Sequence, residues 1–193
     1  VDDSAGTMES CLDAIAEDSR FSVADWNEFR KEIRAHAEKG NTKKSDITPS
    51  SWRKFSRIIG QSISDHIFQP NQKGCANLSD EIEQLQGNDI FVIDIANMTE
   101  SIQSFIFGVV LQTVMKIKSE NKKDSPDRIV IFMDELNKYA SKEIPKRSPI
   151  LQQILDVTER GRSLGVVLFG AEQFKSAIHD RVIGNCANNV YGR

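Results

Sequence analysis

The chain has 193 residues, of which 39% are hydrophobic and 27% are charged, a composition typical of one globular domain or of one domain with a small appendage. No apolar run approaches the ~20 residues that a membrane helix requires, so we expect no membrane span. The formal net charge of −3 argues against binding nucleic acid through bulk charge, although it leaves room for a local basic patch.

The start of the chain and its cysteines indicate whether it is part of a longer protein and in which compartment it is found. The chain starts at Val1 without a basic or apolar leader, and we therefore expect a piece of a longer protein. The cysteines Cys11, Cys75 and Cys186 are odd in number, far apart and without a C-x-x-C pair. This usage predicts a reducing, cytoplasmic setting.

Residues 1–70 carry apolar side chains at three- and four-residue steps, which is the spacing of one helix face. Thr48 before Pro49 is a typical helix start. The pattern predicts a bundle of three helices, in which Trp26, Phe29, Trp52 and Phe55 form the core rather than a platform for stacked bases. The apolar positions in question are Leu12, Ile15, Val23, Trp26, Phe29, Ile33, Trp52, Phe55, Ile59, Ile63 and Ile67.

Residues 71–193 alternate between short strands and helices. The predicted strands are "DIFVIDIA" (89–96), "RIVIFM" (128–133), "LGVVLFG" (164–170) and a last one in "NNVYGR" (188–193). One helix covers the apolar face from Ile102 to Val114, and another begins at Ser148 and Pro149 and stops at Gly161. Such alternation, with nearly continuous apolar strands, predicts an α/β fold with a mainly parallel sheet flanked by helices.

Two adjacent carboxylates, Asp134 and Glu135, end the strand over 128–133. In an open α/β sheet, ligands bind outside the carboxyl ends of the strands. There Asp134 can hold Mg²⁺ through water, and Glu135 can polarise an attacking water molecule, as in the Walker B motif of an ATPase. The alternative is an acidic pair that only ends a buried strand in solvent.

Polar residues also flank the following strand. Arg160 and Arg162 precede it, and Glu172 and Gln173 follow it. In a nucleotide motor, a glutamine at this strand tip can sense the terminal phosphate, and an arginine can reach the phosphate of a neighbouring subunit, which contributes about 10³ to 10⁵ in rate. Alternatively, the two arginines only stabilise the C-terminus of a helix, where the helix dipole favours cations.

Taken in order, "FVIDIANM", "IVIFMDELNKYA", "ERGRSLGVVLFGAEQF" and "VIGNCANNVYGR" resemble segments of the HerA/FtsK superfamily of P-loop ATPases, and within it the HerA-type DNA translocases and helicases. The resemblance covers residues ~75–193. It implies the second half of a RecA-like core over residues 71–193. Residues 1–70 resemble the helical insertion of HerA-type proteins.

The resemblance also implies residue roles. The Walker B carboxylates fall on Asp134 and Glu135, the strand-tip glutamine on Gln173, the "GR" segment on Gly161 and Arg162, and the terminal nucleotide-binding arginine on Arg193. Asp94 stands at a recurrent "ID" pair. The sequence departs from the family where Glu172 replaces a threonine and where Phe174 and Lys175 replace an arginine and a proline.

A phosphate loop, G-x-x-x-x-G-K-[ST], is missing from the 193 residues, and we expect it upstream of Val1 in the parent protein. By resemblance the parent is a ring, hexameric in this family, that uses ATP and Mg²⁺ to move along double-stranded DNA, with a nuclease or another effector as partner and no membrane. Lys43 and Lys44 are candidate contacts to DNA or to a partner. The competing interpretation is a non-catalytic assembly module built on an ATPase-like scaffold.

Overall fold

The computed structural model describes residues 10–11, 14–15, 26–38, 47–62, 76–120, 125–145 and 148–192. The chain divides into two compact units, Val1–Cys75 and Ala76–Arg193. The predicted boundary at residue 70 falls outside the described residues. Within the described ranges, no helix has both the length and the apolar character that crossing a bilayer requires.

The described residues of the first unit are mostly helical. Helix α1 spans Trp26–Glu38 and helix α2 spans Pro49–Ser62, and residues 10–11 and 14–15 are also helical. Thr48 caps α2, because its Oγ1 accepts a hydrogen bond from the backbone N–H of Ser51 at 3.2 Å. The predicted start at Thr48 and Pro49 is therefore confirmed.

A small apolar core holds these helices together. Trp52 and Phe55 are 4% and 0% exposed, with ring centroids 5.9 Å apart in an edge-to-face arrangement. Buried apolar side chains of this size each stabilise the fold by about 1.5–3 kcal/mol. Their assignment to the core is confirmed, and neither ring is available for stacking on a base. The buried members of this core are Cys11, Ile15, Ile33, Trp52, Phe55 and Ile59.

The second unit combines helices with a parallel sheet. Strands β1 (Ile129–Met133) and β2 (Val166–Gly170) pair in parallel, from Ile129 opposite Val166 to Met133 opposite Gly170, and the helices Asn137–Ala140 and Pro149–Leu164 lie in the connection between them. The mixed α/β class with a parallel sheet is thus observed. The elements in chain order are α3 (Leu78–Glu83), α4 (Glu100–Ser119), β1 (Ile129–Met133), α5 (Asn137–Ala140), α6 (Pro149–Leu164), β2 (Val166–Gly170), a 3₁₀ turn (Lys175–Ala177) and α7 (Asp180–Asn185).

The two faces of this sheet differ in burial. Ile131 and Val166 are 9% and 3% exposed in the core of the unit, which includes Phe107 and Leu111 of α4 and Leu151 and Ile154 of α6. The other face, here called the bare face, is apolar and open to solvent. It consists of Val130, Phe132, Val167 and Phe169, which pair across the two strands and are 60%, 71%, 38% and 57% exposed.

The predicted strands over 89–96 and 188–193 are wrong for the described residues. Residues 89–95 and 188–192 form no strand, and the described sheet consists of β1 and β2 alone. Ile90, Val92 and Val190 are 90%, 79% and 95% exposed. A β-branched sequence becomes a strand only where a neighbouring strand supplies hydrogen bonds and a packed face, and neither segment pairs with β1 or β2.

The predicted helix stop at Gly161 is also wrong. Helix α6 continues to Leu164 and ends at Gly165, whose φ of 76° lies in the left-handed region. A Cβ on Gly165 would lie 2.4 Å from the carbonyl oxygen of Asp127. Gly161 instead allows close contact inside the unit, since a Cβ there would lie 2.8 Å from the carbonyl oxygen of Val166.

Candidate functional site

The ends of β1 and β2 bring the predicted acidic pair and the predicted glutamine to one edge of the sheet. The backbone N–H of Ala171 donates to the carbonyl of Met133 at 2.8 Å, and that of Leu136 donates to the carbonyl of Ala171 at 3.1 Å. Asp134 and Glu135 therefore lie beside the segment that carries Gln173. We call this end of the sheet the carboxyl edge.

The turn after β1 presents both carboxylates to solvent. Glu135 has a φ of 53°, and a non-glycine residue in this region costs about 1–3 kcal/mol. Its backbone N–H donates to Oδ1 of Asp134 at 2.9 Å, which closes the turn. Leu136, 7% exposed, anchors the turn close to Gly170, where a Cβ would lie 2.4 Å from Cδ2 of Leu136. The strained backbone is thus held by buried contacts on both strand ends.

Glu135 has a cationic neighbour one helical turn along the chain. Its carboxylate forms an ion pair with the ammonium of Lys138, and both side chains are about half exposed. The hydrogen bond to Glu135 raises the pKa of Lys138 above its usual value. Solvent screens exposed pairs of this kind, which contribute little to stability, so Glu135 can exchange this partner for water or for another cation.

Glu172 joins the two turns of the carboxyl edge. Its Oε2 accepts a hydrogen bond from the backbone N–H of Asn137 at 2.9 Å, and its Oε1 accepts one from that of Gln173 at 2.7 Å. This carboxylate therefore positions the loop that carries Gln173. Gln173 is exposed to solvent. Oδ1 of Asn137 is buried and accepts no hydrogen bond from the described residues.

A cavity of about 290 Å³ adjoins the residue that pairs with Glu135. It is lined by the first turns of α4 and by the Lys138–Tyr139 segment, in particular by Glu100, Ser101, Gln103, Ser104, Lys138 and Tyr139. The ring of Tyr139 packs 5.0 Å from that of Phe107, and burial raises the pKa of its hydroxyl. The phenol therefore stays neutral over the physiological range.

Gln103 connects this cavity to the segment that contains Asp94. It is 8% exposed, and its Nε2 donates to the carbonyls of Ile95 and Met98 at 3.1 and 3.0 Å. Asp94 is exposed, and its Oδ1 accepts a hydrogen bond from the N–H of Ala96 at 3.0 Å. The segment 94–98 is thus a hydrogen-bonded turn held against the start of α4.

The two arginines lie at the other end of the sheet. Arg160 and Arg162 belong to the last turns of α6, which lead through Gly165 into the start of β2. The five residues of β2, about 16 Å in length, run from the end of α6 that carries these arginines to the carboxyl edge. Arg160 is also engaged with Asp156 at 3.0 Å. The fold therefore does not bring these arginines together with Asp134, Glu135 and Gln173 of the same chain.

Three other predicted positions, Arg193, Lys43 and Lys44, lie outside the described residues. The magnesium prediction can be compared with the donors present. Within the described ranges, no three His, Cys, Asp or Glu side chains form a group suited to hold a metal ion. Asp134 is a single exposed carboxylate, which fits Mg²⁺ only in the way that it binds beside phosphates, through one or two carboxylates and water.

Lys138, Tyr139, Gln103 and Glu172 also shape the carboxyl edge and its cavity, although no sequence motif marks them. The spacing of Lys138 from Glu135 is that of an i, i+3 ion pair and was a usable signal. Glu172 stands where the resembled family has a threonine, so the motif gives no indication that this residue links the two turns. Gln103 gave no sequence signal, since a buried amide on a helix looks like any polar position.

No protein-family model matches the sequence, and a search of the curated proteins also finds no match. The resemblance to HerA-type ATPases therefore rests on the sequence segments themselves.

Proposed function

We propose that residues 71–193 form the second half of a RecA-like ATPase core, and that the protein containing them is a cytoplasmic, ATP-driven DNA translocase of the HerA type. One observation carries the proposal: Asp134, Glu135 and Gln173 share the carboxyl edge of a parallel sheet. Ligands of α/β proteins bind at this edge.

Each residue has a defined part in the proposed reaction. Asp134 orients Mg²⁺ through water, Glu135 accepts a proton from the attacking water, and Gln173 contacts the terminal phosphate of ATP. Arg193 contacts the nucleotide. The phosphate-binding loop comes from outside residues 1–193, and the first unit is the helical insertion of the motor.

The arginines act across a subunit boundary in this proposal. Their position in the last turns of α6, before the start of β2, favours a role in trans over a role at the site of the same chain. Such a role requires a ring, hexameric by resemblance, in which Arg160 or Arg162 faces the nucleotide of the next subunit. Double-stranded DNA is the proposed track, and a nuclease or another effector is the proposed partner.

The bare face supports the idea that the described sheet is one part of a larger core. Parallel strands are normally covered on both faces. Val130, Phe132 and Phe169 are all more than half exposed. Their apolar side chains are of the type found in strands that are covered on both faces. Further elements of a complete RecA-like core would cover them.

The decisive experiment uses the complete protein that contains these residues. Glu135→Gln is expected to leave ATP binding intact and to reduce DNA-stimulated ATP hydrolysis by at least about 10²-fold, the scale of a lost general base. Glu143→Gln, an exposed carboxylate on the turn after α5, is the matched control and should keep full activity. Hydrolysis by Glu135→Gln at the control rate would remove Glu135 from this role.

A second measurement tests the placement of the nucleotide site. In calorimetry with ATP and Mg²⁺, residues 1–193 alone should show no binding tighter than millimolar, because the backbone cradle for the phosphates is missing. Micromolar binding would show that the nucleotide site lies elsewhere.

One set of contacts favours the non-catalytic assembly module. Glu135 is paired with Lys138, Glu172 accepts hydrogen bonds from three backbone N–H groups, and the bare face offers apolar surface for assembly. Under this alternative the complete protein associates in the same way with and without nucleotide and has no DNA-stimulated ATPase activity. Sizing in both conditions, together with the hydrolysis assay, separates the two functions.

A further inference from the structure

A groove with an unusual concentration of arginines lies between α1 and α2 of the first unit. It has a volume of about 440 Å³, and Arg30 and Arg34 line it from α1 while Arg53 and Arg57 line it from α2. Each pair is separated by four residues, which is about 6 Å along a helix and places both guanidinium groups on one face. We call this feature the arginine groove.

The described lining of the arginine groove carries four arginines and one carboxylate, so positive charge predominates there. Like charges at i, i+4 destabilise a helix, and here they occur on both walls. Arg34, Arg53 and Arg57 form no ion pair with any residue that the structure describes. Helix α2 contains three basic residues and no acidic one, and a single carboxylate, that of Glu38, lines the groove. A groove in which four arginines outnumber a single carboxylate among the described lining residues is suited to an anion from outside.

The remaining lining excludes several kinds of ligand. Apart from Glu38 and the arginines it consists of Ala37, Ser56 and Gly60, so no aromatic ring offers a platform for unstacked bases. Among the described residues of this unit no large apolar side chain is exposed, which leaves neither an anchor for a bilayer nor a hot spot for a protein partner. Charge and concave shape are the means of recognition that the groove offers.

We propose that the arginine groove binds the phosphodiester backbone of double-stranded nucleic acid without reading its sequence. Guanidinium groups match phosphate oxygens in planar, two-pronged hydrogen bonds, and two facing rows can hold successive phosphates. The inference stands on the charge and shape of the groove and is independent of the ATPase proposal. It also identifies a local basic patch on a chain whose net charge is −3.

The test measures binding of residues 1–193 to a fluorescent 20-base-pair DNA over a range of salt concentrations. Arg53→Gln with Arg57→Gln is expected to raise Kd at least about tenfold near 0.1 M salt and to reduce the slope of log K against log salt by about two. Arg53→Lys with Arg57→Lys, which keeps both charges, should retain most of the slope. Circular dichroism melting verifies that each variant is folded.

The matched control removes two positive charges elsewhere. Lys31→Gln on α1 with Lys116→Gln on α4 makes the same change in net charge at exposed sites that do not line the groove, and it should leave Kd and slope within about twofold of the parent values. An equal loss in both double variants would mean that only overall charge matters, and the proposal would be rejected.

Competitors distinguish the sources of phosphate. Duplex DNA and duplex RNA should displace the probe, whereas single-stranded DNA, tripolyphosphate and vesicles of anionic lipid should do so much more weakly. Displacement by tripolyphosphate at equal phosphate concentration would make the groove a site for small anions and would overturn the assignment. Failure of the parent chain to bind duplex DNA at millimolar concentration would also overturn it.

Discussion

At the scale of single residues, Glu172 is the side chain on which the geometry of the carboxyl edge depends most. It accepts hydrogen bonds from three backbone N–H groups, those of Asn137, Gln173 and Phe174, and hydrogen bonds to a charged acceptor are about twice as strong as neutral ones. Its replacement should therefore affect the folded state although no catalytic part is assigned to it.

We expect Glu172→Gln to lower the free energy of unfolding by about 1–3 kcal/mol, because a charged acceptor is lost and one amide oxygen cannot serve all three donors as well. Urea unfolding followed by circular dichroism gives the value. Glu143→Gln, with an exposed carboxylate, should change it by less than about 0.5 kcal/mol. Equal values for the two variants would contradict the structural part assigned to Glu172.

The burial of Tyr139 should make the free energy of unfolding depend on pH. Burial raises the pKa of its hydroxyl, so the folded chain keeps this proton at pH values where the unfolded chain, with a pKa near 10.0, has lost it. The folded state then binds more protons than the unfolded state, and stability falls as pH rises above about 10. Below that value Tyr139 contributes no pH dependence.

Tyr139→Phe isolates this effect. The difference in unfolding free energy between the parent chain and Tyr139→Phe should be constant between pH 7 and 9 and should shift in favour of the variant above pH 10. Urea unfolding at a series of pH values measures it, and the constant lower range is the internal control. A difference that stays constant up to pH 11 would mean that the hydroxyl is effectively solvated.

At the scale of elements, two glycines of the second unit, Gly165 and Gly184, differ in backbone conformation and in the space around them. Gly165 adopts a left-handed conformation at the end of α6, and a Cβ there would lie 2.4 Å from a backbone oxygen. Gly184 lies within α7, and no atom lies within 4 Å of a Cβ built on it. The same substitution should therefore have opposite effects at the two sites.

Gly165→Ala is expected to destabilise the chain by more than about 1 kcal/mol, because the left-handed conformation alone costs an alanine about 1–2 kcal/mol and the contact with Asp127 must also relax. Gly184→Ala should be neutral or should stabilise by up to about 1 kcal/mol, since alanine favours a helix interior. Thermal melting of both variants compares them directly. A destabilising Gly184→Ala would show that α7 is not helical in solution.

The same elements explain what a sequence can predict. Thr48 with Pro49 gave the start of α2, and the apolar runs gave β1 and β2, because these signals act within a few residues. The predicted helix stop at Gly161 was wrong, because an interior glycine that permits close packing has the same local sequence signal as a helix stop. The segment 89–96 misled because strand formation depends on a neighbouring strand, which no local pattern encodes.

The candidate site was predictable to the same extent. Strand ends placed Asp134, Glu135 and Gln173 at one edge, as parallel pairing requires. The separation of Arg160 and Arg162 from that edge follows from the direction of α6, which runs back along the sheet. The arginine groove was also present in the sequence as two Arg-x-x-x-Arg repeats. Each is unremarkable alone, and only the packing of α1 against α2 brings them to a common groove.

At the scale of the whole molecule, the two units present different surfaces. The described part of the first unit covers its apolar residues and exposes arginines, whereas the second exposes the bare face and the apolar segment around Ile90. Apolar patches of this kind on a soluble protein commonly mark sites of assembly. The charged groove and the bare face therefore suit different partners, and substitutions in one should not affect the other.

The bare face yields a prediction about stability that contrasts with the core. Phe132→Thr with Phe169→Thr should change the unfolding free energy by less than about 1 kcal/mol per site, because both rings are already more than half exposed and lose little burial. Phe107→Ala, at 3% exposure, should cost about 3–5 kcal/mol through the cavity it leaves. Urea unfolding compares the three chains.

The same double variant should reduce the binding of an apolar fluorescent dye and the tendency of the chain to associate, measured by dye fluorescence and by light scattering over a concentration series. DNA binding through the arginine groove should stay unchanged, since the substituted residues belong to the other unit. If Phe132→Thr with Phe169→Thr instead lost as much stability as Phe107→Ala, the face would have to be covered in solution, either by another part of the chain or by a second copy. Dilution distinguishes these two cases, because only cover by a second copy weakens as the concentration falls.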